Sequence, residues 1–183
     1  MLLWFVLFPL CADVVTANVK TGQGALADGD RLTLAPRDLD SIEVYPQGMM
    51  HSPAGRKICV VGDGQYVIYT ALTLNNLSFG DALEFVWGPD DKTYATREST
   101  SRIKVLTEKK DKSKDEYAFK PSFAAEGIFG GALLGVRSND FIDFYEWSGT
   151  CRFIRRMDVV ARKVNTQAPQ AHLTPHDSCL DAI

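Results

Sequence analysis

The sequence has few of the residues from which catalytic sites are built. Its 183 residues include only three histidines. A nucleophilic site requires a Ser or Cys beside a His and an acid, but His51 lies at a Pro- and Gly-rich elbow, and His172 and His176 lie near the C-terminus. No Gly-rich loop precedes a helical pattern, so no phosphate cradle is predicted. The sequence therefore predicts a protein that is not an enzyme, with no catalytic residue, no cofactor and no small-molecule substrate.

Cysteine is also scarce, and its spacing argues against a disulfide scaffold or a zinc site. The four cysteines (Cys11, Cys59, Cys151 and Cys179) form no CxxC pair, which is typical of a protein from a reducing compartment. Cys59 lies inside an apolar run and is interpreted as a small core residue. His172, His176 and Cys179 have the residue types of metal ligands, but no fourth ligand accompanies them, so no metal is predicted.

The chain has no excess of positive charge. Its formal net charge is −3, so there is no general attraction to nucleic acid and no nucleic-acid partner is predicted. The densest charge run, Glu108–Glu116 (EKKDKSKDE), mixes both signs and is predicted to be a solvated loop between strands. The alternative, a basic patch that docks on anionic lipid, is disfavoured because acidic residues offset much of its positive charge.

No apolar run is long enough to cross a bilayer, which takes about 20 residues. Residues 1–12 (MLLWFVLFPLCA) form an apolar leader of uncertain role. A signal peptide is one interpretation, although the first basic residue, Lys20, comes after the apolar run rather than before it. The others are a buried edge strand and a start that does not belong to the parent domain.

What the sequence does contain is a recurring pair of β-strands. Within Ile42–Leu74, the apolar run Ile58–Val61 is followed by a Gly-Asp-Gly-Gln turn and a second run, Tyr66–Tyr69. Residues that tolerate positive φ close such a turn cheaply, so the pattern predicts a β-hairpin. The elbow that precedes it is His51–Gly55 (HSPAG), and His51 is interpreted as a structural corner.

The pattern repeats along the chain. Residues 57–69 align with residues 93–105, and a third copy lies at residues 133–145. A strand, turn and strand repeated about every 40 residues is typical of a β-propeller blade. The alternative interpretation is an ordinary antiparallel meander with turns of similar length.

Further elements follow from local composition. Additional strands are predicted at Arg31–Leu34, Ile42–Tyr45, Thr70–Leu77, Ala82–Trp87, Phe141–Trp147 and Cys151–Val160, and turns at Phe79–Asp81, Gly88–Asp91 and Ser148–Gly149. Asp63 is expected to accept backbone hydrogen bonds in its turn, and Arg97 with Glu98 to form a structural ion pair where the second hairpin turns. Residues 165–183 (NTQAPQAHLTPHDSCLDAI) are predicted to be a disordered tail.

The run EVYPQGMMHSPAGRKICVVGDGQYVIYTALTLNNLSFGDALEFVW resembles the second WD-repeat propeller of the coatomer β′ subunits. Further on, YATRESTSRIKVL, FKPSFAAEGIFGGALLGVRSNDFIDFYEW and FIRRMDV are similar to segments that follow in that family. The similarity runs from about Asp13 to about Val164. It implies an all-β fold in which residues 13–164 form a partial second β-propeller of about three to four blades.

The resemblance also implies a function. Members of this family are structural subunits of the COPI coat, which acts in Golgi-to-ER and intra-Golgi transport, and they pair chiefly with the coatomer α subunit. The resemblance further implies a location in the cytoplasm and, peripherally, on Golgi and coated-vesicle membranes. The dilysine cargo pocket of the family lies on the first propeller, so no cargo-binding residue is transferred to this sequence.

Two other functions stay open at this point. The first is a free-standing propeller-like module that binds a peptide at an exposed blade edge without joining a coat. The second is a secreted β-domain, which depends only on the apolar leader. Three or four blades do not close a ring of about seven, so unpaired edges are expected to make this polypeptide poorly soluble by itself.

Overall fold

Every regular element that the structure describes is a β-strand. The computed structural model describes residues 3–7, 13–19, 34–42, 44–109 and 113–159. Within these ranges, no helix is long and apolar enough to cross a membrane. The predicted tail, the two histidines and the cysteine within it, and residues 110–112 of the charged run lie outside the described residues.

The strands form four antiparallel sheets, each with its strands in chain order. The N-terminal sheet contains β1 (Leu3–Leu7), β2 (Asp13–Val19) and β3 (Leu34–Ser41). Blade 1 contains β4 (Gly48–His51), β5 (Lys57–Gly62), β6 (Gln65–Thr70) and β7 (Asn76–Asp81). Blade 2 contains β8 (Glu84–Trp87), β9 (Thr93–Ser99), β10 (Arg102–Glu108) and β11 (Lys114–Phe119). Blade 3 contains β12 (Gly127–Phe129), β13 (Leu134–Arg137), β14 (Ile142–Tyr145) and β15 (Phe153–Met157).

The predicted hairpin and its repeats are confirmed. Strands β5 and β6 pair up to Gly62 and Gln65, and the two residues between them, Asp63 and Gly64, have φ angles of 53° and 75°. Positive φ at both central positions matches the right-handed twist of the flanking strands. In blade 2 the strands equivalent to β4 and β5 begin 36 residues later, at Glu84 and Thr93, as the repeat predicts. Three four-stranded blades and one three-stranded sheet match a partial propeller.

Strand β5 is buried on both of its faces. Ile58 and Val60 pack in one apolar cluster with Val67 and Tyr69 of β6, whereas Cys59 packs in a second cluster on the opposite face of the sheet. Side chains alternate between faces along a strand, so a strand covered on both sides has a continuous apolar sequence. This explains the run Ile58–Val61 and confirms Cys59 as a core residue.

The second cluster joins blade 1 to blade 2 through aromatic side chains. The ring of Phe85 on β8 lies 5.0 Å from that of Tyr94 on β9, 4.9 Å from that of Trp87 and 5.3 Å from that of Tyr66 on β6. Edge-to-face and offset rings at such distances attract each other beyond the area they bury. A third cluster joins blade 2 to blade 3 through residues that include Ala95, Ile103, Ile128, Leu134 and Val136. The blades therefore stack face to face.

Two local predictions around β7 were wrong: the turn at Phe79–Asp81 and the continuous strand at Thr70–Leu77. Phe79–Asp81 is the end of β7 and not a turn, because Gly80 lets the Tyr66 ring lie directly beneath the strand: a Cβ there would stand 2.9 Å from that ring. The turn comes earlier, between β6 and β7, where Thr70 and Thr73 hydroxyls are 2.5 Å apart and the Asn75 amide donates to the Thr70 hydroxyl. The Thr70 hydroxyl takes up a backbone amide that a continuous strand would use in its ladder.

Two other predictions also differ from the structure, whereas residues 31–33 of the strand predicted at Arg31–Leu34 lie outside the described residues. The Ile42–Tyr45 segment is not a strand in its described residues. Ile42 and Val44 are instead buried in the apolar cluster that contains Ile58 and Val60 of blade 1. The charged run is not a loop throughout, because β11 begins at Lys114 and pairs with β10. The Gly88–Asp91 and Ser148–Gly149 turns are confirmed.

The apolar leader contains β1, which pairs with β2 in the N-terminal sheet. The boundaries at residues 12 and 164 stay predictions.

Candidate functional site

The polar side chains of the described residues join the blades and do not gather into a reactive centre. In the part of the chain that the structure describes, no three residues among His, Cys, Asp and Glu are placed to hold a metal ion. The thiols of Cys59 and Cys151 are both buried and free, and burial raises the pKa of each. The candidate functional features are therefore the junctions between blades and the surfaces that these junctions create.

The first junction centres on Asp91, in the loop between β8 and β9. Its carboxylate accepts a hydrogen bond from the backbone amide of Ala54 at 2.7 Å and one from the Arg56 side chain at 2.9 Å. The Lys57 ammonium donates to the Asp91 carbonyl at 2.9 Å and to Glu108 at 2.5 Å. Burial by itself would raise the pKa of Asp91, but the hydrogen bonds from Ala54 and Arg56 hold it below its ordinary value. These contacts hold the HSPAG elbow of blade 1 on blade 2.

The second junction centres on Glu84, at the start of β8. Its carboxylate accepts a hydrogen bond from Arg97 on β9 at 3.0 Å and one from the backbone amide of Ile128 on β12 at 2.9 Å. Arg97 also donates to the Ala125 carbonyl at 3.4 Å. A carboxylate that accepts charge-assisted hydrogen bonds from two sheets ties the sheets together.

This arrangement corrects the expected ion pair between Arg97 and Glu98. Adjacent residues on a strand point to opposite faces, so Arg97 turns toward Glu84, whereas Glu98 pairs with Arg102 at 3.0 Å and Lys104 at 2.6 Å. Residues 84 and 97 are cross-strand partners in β8 and β9, which a reading of local composition did not reveal. The register of the 36-residue repeat is the signal that could have found them.

A third set of contacts links Trp87 of β8 to β4 of blade 1 and to the loop after β12 of blade 3. The Trp87 indole donates to the Met50 carbonyl of β4 at 3.5 Å. The Trp87 carbonyl accepts from the Gly131 amide at 3.0 Å, and the Gly131 carbonyl accepts from the Trp147 indole at 2.8 Å. His51, predicted to be a structural corner, is the last residue of β4 beside Met50, and burial lowers its pKa. The neutral imidazole is therefore favoured in this position.

Asp63 accepts a backbone hydrogen bond, as predicted, but from outside its own turn. The donor is the amide of Tyr45, 3.3 Å from the carboxylate. Close packing at this point also requires Gly62, because a Cβ there would lie 1.8 Å from the Tyr45 carbonyl oxygen. The turn therefore holds the segment that leads into blade 1.

A cleft of about 320 Å³ opens between the outer parts of blades 1 and 2. Its lining includes Phe79, Gly80 and Asp81 of β7 on one side and Glu98, Lys104, Lys114 and Glu116 of blade 2 on the other, over a floor of Tyr66, Thr96 and Leu106. Lys104 bridges Glu98 at 2.6 Å and Glu116 at 3.0 Å, and both carboxylates raise its pKa. This surface could not be predicted from the sequence, because its residues come from five different strands.

Comparison with known proteins agrees with the stacked blades. The family described as the COPA/B second beta-propeller matches residues 12–173. The chain is 50% identical over 149 residues to coatomer subunit beta'-1 of Oryza sativa subsp. japonica. The aligned residues are 80% of this chain and 16% of that protein. It is 46% identical over 154 residues to coatomer subunit beta' of both Bos taurus and Homo sapiens, which covers 84% of this chain and 16% of theirs.

The chain thus spans about one sixth of the length of these relatives, and the matched family covers more than four fifths of the chain. The similarity includes all three blades and the junctions at Glu84, Trp87 and Asp91. The four-stranded meanders, their face-to-face stacking and this match lead to one conclusion: the chain belongs to the COPA/B second β-propeller family.

Proposed function

We propose that this chain acts as a structural part of the COPI vesicle coat, in Golgi-to-ER and intra-Golgi transport. The observation that carries the proposal is the 46–50% identity to coatomer β′ subunits over at least 80% of the chain. Its partners are other coatomer subunits, chiefly the α subunit. It resides in the cytoplasm and on the cytosolic side of Golgi and coated-vesicle membranes.

The described surfaces support a scaffold role. Charged side chains of the described residues hold the blades in place: Asp91 with Ala54 and Glu84 with Ile128 between blades, and Asp143 with Arg156 within blade 3. Such contacts stabilise one arrangement of stacked blades, which is what a coat component presents to its neighbours. The identity to coat subunits favours this function over a free-standing propeller-like module.

Co-purification tests the proposal. The full chain, tagged at its C-terminus, is expressed in cells and recovered under native conditions, and the bound proteins are probed for the coatomer α subunit. We expect the α subunit and other coatomer subunits to co-purify, and the tagged chain to overlap a Golgi marker in fluorescence microscopy. Recovery of a soluble, folded chain with no coatomer subunit bound would contradict the proposal.

A matched pair of variants tests whether co-purification of the coat subunits requires correctly packed blades. Gly130→Ala introduces a Cβ 2.1 Å from the Trp87 carbonyl oxygen, whereas Gly149→Ala meets no atom within 4 Å. We expect the first variant to lose the coat subunits and the second to retain them. Mass spectrometry of the N-terminus tests the alternative of a secreted β-domain, which requires cleavage near Ala12.

A further inference from the structure

The hairpin between β10 and β11 places one hydroxyl group among charged side chains. The run Glu108–Glu116 contains four lysines and four acidic residues, and its remaining residue is Ser113. The Lys109 amide donates to the Ser113 carbonyl at 2.8 Å, so these two residues face each other across the hairpin. Ser113 and the first five residues of β11 are exposed, and in the part of the chain that the structure describes β11 pairs only with β10. An extended segment that begins at Ser113 is therefore open to an enzyme.

Two exposed carboxylates follow Ser113. The side chain of Asp115, two residues later, is 66% exposed and pairs with Lys109 at 2.6 Å. The side chain of Glu116, three residues later, is 46% exposed and pairs with Lys104 at 3.0 Å. Solvent screens such ion pairs, so a basic binding groove can take over both carboxylates. A serine followed by acidic side chains is the charge pattern by which one class of protein kinases selects its substrates.

Burial separates Ser113 from the other hydroxyl that has this charge pattern. Within the described ranges, Ser78 and Ser113 are the two hydroxyl-bearing residues that an acidic residue follows at the third position. Ser78 is buried, and its hydroxyl accepts a hydrogen bond from the Lys114 ammonium. Thr100, at the tip of the β9–β10 hairpin, is exposed, but the third residue after it is Ile103. Charge pattern and exposure together therefore select Ser113.

We propose that Ser113 is phosphorylated by a serine kinase that selects acidic sequences. The Ser113 hydroxyl oxygen forms a bond to the γ-phosphorus of ATP as the bond from that phosphorus to the β–γ bridging oxygen breaks. The hydroxyl proton passes to a base of the kinase, and ADP leaves.

The phosphate changes the charge of the hairpin. It adds about −2 at pH 7 to a run in which four lysines balance four acidic residues. It also faces Lys109 across the hairpin, and an ammonium forms a charge-assisted hydrogen bond with a phosphate, so Lys109 exchanges Asp115 for the new group. This inference goes beyond the proposed function and does not depend on it.

A kinase assay on the native full chain tests the inference directly. The chain is incubated with ATP and casein kinase 2, a kinase that selects acidic sequences, and the phosphorylated positions are mapped by mass spectrometry. We expect phosphate at Ser113 and none at Ser78 or Thr100. Absence of phosphate at Ser113, while the same enzyme phosphorylates casein, would overturn the proposal, as would equal rates at Ser113 and Ser78. Mapping also separates Ser113 from Thr174 and Ser178, which precede an acidic residue by three positions but lie outside the described residues.

Variants of the chain test the role of the carboxylate at the third position. Glu116→Gln keeps the size of the side chain and removes its charge, and it is expected to slow phosphorylation of Ser113 about fivefold, because one ion pair with the kinase is lost. Asp140→Asn is the matched control, since it removes an exposed carboxylate of blade 3, and it should leave the rate unchanged. Equal rates in the two variants would overturn the proposal.

Two further measurements keep the outcome clear. A synthetic peptide of residues 110–119 (KDKSKDEYAF) has no fold to lose, so the Glu116→Gln substitution should slow its phosphorylation by a similar factor even if the same change destabilises the full chain. In cells, the tagged chain recovered for the co-purification experiment is expected to contain phosphate at Ser113 that a phosphatase removes. Coatomer subunits bound to a chain without phosphate at Ser113 would reject this site and leave the proposed function standing.

Discussion

Glu84 and Ile128 lie on neighbouring blades, and the Glu84 carboxylate accepts a hydrogen bond from the Ile128 backbone amide at 2.9 Å. The same carboxylate pairs with Arg97 on its own blade. One side chain therefore satisfies a cation of blade 2 and a main-chain donor of blade 3. A contact of this kind resists separation of the blades, because the Ile128 amide would lose its acceptor.

The Glu84→Ala variant is expected to lower the free energy of unfolding by about 2 kcal/mol, because charge-assisted hydrogen bonds to partly buried donors are lost. Glu146→Ala provides the control, since it breaks an exposed pair with Arg152 that water and salt screen, and it is expected to cost much less. Urea unfolding followed by circular dichroism measures both. Equal losses in the two variants would show that Glu84 does not join the blades as described.

Asp91 is expected to contribute stability that depends on pH. Its pKa is held below the ordinary value in the folded chain, so its contribution is fully present above the unfolded pKa, about 4, and is lost as the pH falls through the folded pKa. The destabilisation by Asp91→Asn should therefore be largest near neutral pH and shrink in acid. Thermal melts of both proteins over that range give the comparison, and a difference independent of pH would count against the assignment.

Arg56 is expected to matter much less than its partner. Its side chain is 79% exposed, so water and salt screen the ion pair and Arg56→Ala should cost at most about 1 kcal/mol. Asp91→Ala should cost more, because the Ala54 amide loses its acceptor as well. Denaturation midpoints for the two variants decide the order, and the reverse order would disprove the argument.

Gly130 is expected to tolerate no side chain. A Cβ at this position would stand 2.1 Å from the Trp87 carbonyl oxygen and 2.9 Å from the Val86 Cβ, so Gly130→Ala must push β12 away from β8, at a cost of roughly 1–3 kcal/mol. Gly149→Ala meets nothing within 4 Å and should change stability by less than about 0.5 kcal/mol. Melting temperatures test both, and an unchanged value for Gly130→Ala would refute the close approach.

Phe85 is expected to be the most sensitive aromatic position at the junction of blades 1 and 2. Its side chain is buried and its ring contacts those of Tyr66, Trp87 and Tyr94, so Phe85→Ala should cost about 3–5 kcal/mol. The exposed Phe79 is the matched control, and Phe79→Ala should be nearly neutral. Chemical denaturation of both variants provides the measurement; a similar loss at Phe79 would contradict the burial difference.

Cys59 and Cys151 are expected to resist alkylation in the folded chain. Burial raises the pKa of Cys151 to about 11 and that of Cys59 further, so both stay protonated at pH 8, and only the thiolate reacts. Iodoacetamide labelling followed by mass spectrometry, with and without urea, gives the rates at each site. If Cys59 were labelled as fast in buffer as in urea, the apolar cluster around it would be accessible to the reagent, contrary to its burial.

Much of this fold could be predicted from local sequence because strands and turns depend on neighbouring residues. The Gly-Asp-Gly turn after Val61 predicted the hairpin, since positive φ is a property of the residues in the turn. The 36-residue repeat predicted the second blade because it places a similar strand, turn and strand one period further along the chain. Prediction was wrong at Phe79–Asp81, where Gly80 accommodates a ring from another strand rather than making a turn.

By itself, the sequence determined the all-β class, the blade repeat and the resemblance to coatomer subunits. Only the tertiary structure decided which polar groups meet. Asp91 reaches the Ala54 amide across 37 residues of chain, and Glu84 reaches the Ile128 amide across 44. The physical reason is that these partners become neighbours only when the blades stack. Stacking depends on the packing of apolar faces, and the local sequence does not specify which of these faces pack together. The cleft beside Phe79 exists for the same reason, as a space between two blades.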